Sequence, residues 1–159
     1  MRREPAVFCS TAFDDAEFRS HGRTRVQLDG RRLRIEAWGP FNLELVQAQG
    51  RLLHSQVGPN LPPDGRFVEA ISYHQSILMP EEAWQALYAL VALTVERGVC
   101  AASTVIQVDE RVEGAGLFAE RLANAWRPSR PVQLVSSPQA MDLAVSDALA
   151  RLKDCGASI

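Results

Sequence analysis

Hydrophobic and polar positions along this chain switch between a period of two and a period near 3.6. The short period governs residues 24 to 28 and 32 to 38. Val26 and Leu28 fall on one side, then Leu33, Ile35 and Ala37 line one face with Arg32, Arg34 and Glu36 opposite. Asp29-Gly30 between the two runs predicts a two-residue type I′ hairpin turn. One half-solvated face places this hairpin at or near a sheet edge.

The longer period then begins. Gly39-Pro40 ends the second strand, Asn42 supplies an N-cap, and Leu43, Val46, Gly50 and Leu53 make a helical stripe. Gly58 to Gly65 reads as a loop by composition. Arg66 to Tyr73 is the next strand. Pro80 suits a first helical turn, Glu81 and Glu82 complement the dipole, and Ala83, Trp84, Leu87, Leu90, Val91 and Thr94 form a broad face that stops at Gly98.

Ala101 to Val108 reads as a strand buried on both faces. Leu117, Phe118, Leu122, Ala125 and Trp126 mark a third helix, ended by Pro128. Pro131 to Val135 is a short last strand. Ser137 caps and Pro138 opens a final helix with Met141, Ala144, Val145, Ala148, Leu149 and Leu152 on its face. The pattern predicts one α/β domain over residues 23–154, with a mixed, mostly parallel sheet of about five strands and helices packed on it. Residues 1–22 form a partly ordered extension: Phe8, Phe13 and Phe18 recur every five residues, some of these rings pack back on the domain, and Asp14 to Phe18 opens a short helix. Residues 155–159 are a tail.

An antiparallel hairpin followed by helix, strand, helix, strand, helix, strand and helix resembles the STAS fold of anti-sigma-factor antagonists and the related SpoIIAA-like domains. The likeness covers about residues 24 to 153. It extends to the short last strand running into Ser136-Ser137-Pro138-Gln139-Ala140-Met141. The resemblance implies a bacterial regulatory module that acts through a protein partner. In that family a serine after the third strand, within a run of Asp-Ser-Ser/Gly/Thr/Ala-Gly-Leu type, is phosphorylated by a partner kinase. The positional equivalent is Gln75-Ser76-Ile77-Leu78, where the serine is present and the flanking aspartate and glycine are not. A plain turn or cap role for Ser76 is the competing reading.

Composition narrows the classes without choosing among them. The chain has 159 residues, 47% hydrophobic and 23% charged, with a net charge of −2. That length supports a core without staples, and that charge draws in neither nucleic acid nor an anionic surface. Arg23, Arg25, Arg31, Arg32 and Arg34 make a basic hairpin without interleaved aromatics, which reads as a solvated face, with RNA binding as the lesser alternative. Three cysteines without a C-x-x-C pair suggest no metal knuckle or redox dithiol and fit a reducing cytoplasm. No apolar run is long enough for a signal peptide core or a membrane span.

In open α/β sheets, ligands favour the carboxyl ends of the strands. Those ends carry Trp38, Phe41, Asn42 and Glu44, then His74 and Ser76, then Asp109. Trp38 with Pro40 and Phe41 is read as an apolar patch, either a pocket lip and interface or packing against the amino-terminal segment. The leading expectation is a non-enzymatic interaction module that binds a protein partner or a small apolar ligand through the Gly39–Glu44 and Tyr73–Pro80 loops, without cofactor or metal. The competing expectation is a small enzyme using Glu44, His74 and Asp109 for acid/base or metal chemistry, although their spacing carries no metal signature. No G-x-S-x-G elbow surrounds any serine. A homodimer, through the edge hairpin or an exposed helix face, is compatible with either.

Overall fold

The computed structural model describes residues 5–13 and 19–154. The proposed helix at Asp14 to Phe18, the Phe18 ring and the carboxyl-terminal tail lie outside the described residues. Six strands form one mixed sheet in the order β1-β2-β3-β4-β5-β6. They are β1 (Ala6–Cys9), β2 (Arg23–Asp29), β3 (Arg32–Trp38), β4 (Val68–His74), β5 (Ser103–Val108) and β6 (Val132–Val135). The first three are antiparallel, and β3 through β6 are parallel.

The strand count corrects the expected five. The amino-terminal segment supplies β1, which pairs from Ala6 opposite Leu28 to Cys9 opposite Arg25. A short 3₁₀ turn, Ser10–Phe13, follows it. Ser10 is buried, and its Oγ accepts from the Thr24 amide at 2.9 Å. Phe8 and Phe13 pack against the core, as expected for these rings. Their five-residue spacing concealed the strand, because pairing with β2 rather than local pattern holds it in place.

The β2–β3 hairpin is present with a small difference in its turn. Asp29 pairs with Arg32, so the two loop residues are Gly30 and Arg31. Gly30 has φ +57° and Arg31 is not left-handed, whereas a type I′ turn needs both. The arginines of the hairpin are mostly answered by carboxylates: Arg31 with Asp64, Arg32 with Asp142 and Arg34 with Glu36. The Arg31 fork and the Arg66 amide hold the exposed Asp64 carboxyl down at about 2.

Four helices complete the fold: α1 (Leu43–Leu52), α2 (Glu81–Glu96), α3 (Ala115–Trp126) and α4 (Pro138–Asp154). Right-handed crossovers between strands added in one direction put every crossover helix on the same side. Accordingly α1, α2 and α3 cover one face, closing a core with Leu33, Ile35, Ile71, Ile106, Leu52, Trp84 and Leu122. Full burial of each such side chain contributes about 1.5–3 kcal/mol. Among the described residues only α4 packs on the other face, where Met141, Ala144, Val145 and Ala148 meet Val68, Ala70 and Val105. Helices on both sides bury β4 throughout, while β3 alternates.

The helix punctuation is as the sequence implied. The Asn42 side chain caps α1, Gly98 follows α2 with φ +67°, and Ser137 Oγ accepts from the Ala140 amide at 3.2 Å. Two faces are rotated from expectation. In α1 the buried positions are Leu45, Val46, Ala48 and Leu52. In α3, Leu117 is 79% exposed and Leu122, Ala123, Ala125 and Trp126 point inward. Among the described residues, no helix is long and apolar enough to cross a membrane.

Candidate functional site

At the carboxyl ends of the strands the structure separates the residues that the sequence grouped. Trp38 and Phe41 do not form one patch. Trp38 stacks on His74, 5.0 Å between ring centroids, with the Arg23 guanidinium 4.6 Å over its ring. Phe41 is a core residue, 6% exposed, edge-on to Tyr73 at 5.9 Å. The turn at Gly39-Pro40 sends the two rings to different sides of the sheet.

Asn42 is occupied structurally. Its Oδ1 accepts from the Leu45 and His21 amides, and its Nδ2 donates to the Arg19 carbonyl. Ser76 is 3% exposed and its Oγ accepts from the Leu78 amide at 3.1 Å. A phosphoryl group there requires that buried turn to open. Gln75, with φ +65°, sets up the turn.

No hydrogen bond or ion pair joins the three residues of the enzyme reading among the described residues. Glu44 lies in the first turn of α1. His74 Nε2 faces Glu36 at 3.8 Å beside Trp38. Asp109 is held by Arg111 through two short bonds, which push its carboxyl well below the usual range. No group of three or more His, Cys, Asp or Glu placed to hold a metal occurs among the described residues. The strand order bears on this rim. Crevices open at carboxyl ends where the order of parallel strands reverses, and here it never does.

A cavity lies at the opposite end of the sheet. It encloses about 340 Å³ between α1 and α2, within the range of small-molecule sites. Leu33 enters from β3, Phe67 from just before β4, Glu69 from its start, and Ala101 from the approach to β5. The carboxyl half of α2 contributes Leu90, Leu93 and Thr94. Gly50 lets α1 approach α2 here, since a Cβ on it would stand 3.3 Å from Leu90 Cδ1.

The far wall departs from the sequence reading. Residues that scan as the end of α1 and a loop instead continue it as a π-helical stretch, Leu53–Val57, with the Gly58 amide bonded to the Leu53 carbonyl. Such i→i+5 insertions often accompany functional sites. The stretch and the turn after it place Leu53, His54, Val57, Pro59 and Leu61 on the cavity.

Two charged residues close the floor. Arg130 Nη2 donates to Glu69 Oε2 at 3.1 Å, and Arg130 Nε donates to Thr104 Oγ1 at 2.8 Å. Thr104 Oγ1 donates to Glu69 Oε2 at 2.9 Å, and Arg130 Nη1 reaches Cys100 Sγ at 2.9 Å. Glu69, Thr104 and Arg130 are all buried. Burying ions requires partners of this kind. At the mouth, exposed His54 and Arg97 meet, His54 Nδ1 lying 2.5 Å from Arg97 Nη1. A guanidinium only donates, so Nδ1 accepts and the ring proton sits on Nε2.

None of these cavity residues was singled out as a binding group from the sequence. The available signal was Glu69, a carboxylate inside an otherwise apolar strand, which demands a buried partner. Comparison of the chain with family models, with curated proteins and with solved structures returns no match.

Proposed function

We propose that this protein is a non-enzymatic binding module whose ligand is a small, largely apolar molecule held between α1 and α2. The observation that carries the proposal is the cavity itself: about 340 Å³, walled by Leu33, Leu53, Phe67 and Leu90, over a floor whose charges are already paired. A well-formed apolar pocket with a few convergent polar groups is the default binding site of an uncharacterised fold. The order of elements from β2 to α4 supports reading the module as STAS-like and regulatory, with ligand occupancy as the signal rather than a phosphoserine.

The test is titration with N-phenylnaphthylamine, an uncharged apolar fluorophore. A saturable, single-site rise in emission is expected. It should be lost in Leu90→Trp, which fills the cavity, and in Leu93→Trp, which narrows the mouth from a position already 37% exposed. Absence of saturable binding by the parent protein sinks the proposal. So does parent-like binding by both variants, provided they retain the parent's circular dichroism.

A further inference from the structure

Charge is distributed unevenly along this cavity, and the distribution selects a ligand class. At the floor, the negative Glu69 and positive Arg130 neutralise each other at 3.1 Å. Both hydrogen bonds made by the Glu69 carboxylate within the described residues fall on Oε2. An anion pushed to the floor would meet the remaining carboxylate oxygen and would have to displace a satisfied ion pair. Between floor and mouth the walls offer Leu53, Phe67 and Leu90. They reward aliphatic surface taken out of water.

The mouth is different. Arg97 has no carboxylate partner among the described residues, and one of its N–H groups serves His54 Nδ1. The rest of its donor fork is available, and the adjacent His54 presents Nε2–H. Glu96, the residue before Arg97 and the last of α2, is not on the cavity wall. Three of the last four carbonyls of α2, the end that would repel an anion, are engaged. Leu93 accepts from the Arg97 amide, Thr94 from Val99 and Val95 from Gly98. The mouth therefore carries positive charge and hydrogen-bond donors, set above an apolar shaft with a neutral floor.

Resting on the cavity reading above, we infer that the ligand is a monoanionic amphiphile, an aliphatic carboxylate in its simplest form. Its chain fills the space between α1 and α2, and its head group sits at the mouth against Arg97 and His54. The orientation is tail-inward. A head-inward carboxylate faces Glu69, and a cationic amphiphile faces Arg97.

The experiment compares decanoate, decanol and decylamine, each below its aggregation limit, by displacement of N-phenylnaphthylamine and by direct calorimetry. The chain is constant and only the head changes. Decanoate is expected to bind about five- to tenfold more tightly than decanol, the scale of one charge-assisted contact at a partly wet rim. Decylamine is expected to bind more weakly than decanol. Arg97→Gln should bring decanoate down toward the decanol level while weakening decanol much less, and added salt should narrow the gap in the parent protein. Equal or tighter binding of decanol overturns the inference and leaves the apolar-ligand reading standing. Equal weakening of decanoate and decanol by Arg97→Gln also overturns it, since Arg97 then shapes the wall rather than reading charge. Failure of all three compounds and of the fluorophore overturns both proposals.

Discussion

Glu69 on β4 and Arg130 ahead of β6 are 61 residues apart in the chain and meet as a buried ion pair at 3.1 Å, with β5 between them. Thr104 on that middle strand bonds both partners, so three adjacent strands are tied at one point.

That relationship predicts an asymmetric cost. Arg130→Met leaves the Glu69 carboxylate buried with only the Thr104 hydroxyl, and should lower unfolding free energy by about 3–5 kcal/mol. Replacing both residues together, Glu69→Leu with Arg130→Met, should cost clearly less than the single change, because no ion is then stranded. Urea midpoints of parent, single and double variants measure this. A double variant no more stable than Arg130→Met refutes it.

Tyr73 predicts a pH dependence at the alkaline end. Burial, and secondarily the negative Glu69 on the same side of β4, push its phenol well above the ordinary range. The raised group favours the folded state fully below about pH 10, and that contribution drains as pH rises and the unfolded chain ionises. The loss should approach about 1.4 kcal/mol per pH unit above that point. Tyr73→Phe should remove this portion of the slope while leaving stability at pH 8 lower or unchanged. Parallel slopes for parent and variant between pH 9 and 11.5 would contradict the assignment.

Asn42 predicts a local effect with two readouts. Its side chain caps α1 and also holds the His21 amide and the Arg19 carbonyl. Asn42→Ala should cost about 1–2 kcal/mol, the range for losing a cap. It should also speed hydrogen exchange at the His21 amide. Asn42→Asp keeps the accepting oxygen and loses only the donor to Arg19, so it should fall between parent and alanine. An alanine variant with unchanged melting temperature and unchanged exchange at His21 would show that the three bonds contribute nothing.

Much of the architecture was legible because its signals are local. Asn42, Gly98 and Ser137 each mark a helix end within a few residues of the helix they serve, and the broad apolar face of α2 leaves Trp84 no place but the core. What was not legible is set by distance in the chain. The strand at Ala6–Cys9 exists because Phe8 finds Val26 across the ladder. The face of α1 is chosen by packing between the sheet and α2, which brought Leu45 and Leu52 inward rather than Leu43.

The candidate site followed the same division. Trp38 and Phe41 are close in sequence and look like one patch. The chain turns between them so tightly that a Cβ on Gly39 would stand 2.1 Å from the Ser76 carbonyl oxygen. The cavity draws on β3, β4, α1, α2 and the residue before Pro131, and no spacing rule links Leu33, His54, Glu69, Arg97 and Arg130. Only the isolated carboxylate of Glu69 hinted at it.

The sequential strand order has a consequence for assembly. Each strand adds beside the one made just before it, so no strand waits for a partner made later in the chain, and each parallel crossover closes over its own helix. The exception is α4, which must return from the β6 edge to lie over β4 and β5. A chain ending before Pro138 would therefore keep all its strand neighbours while leaving Val68, Ala70 and Val105 bare, a sticky intermediate that the last helix exists to cover.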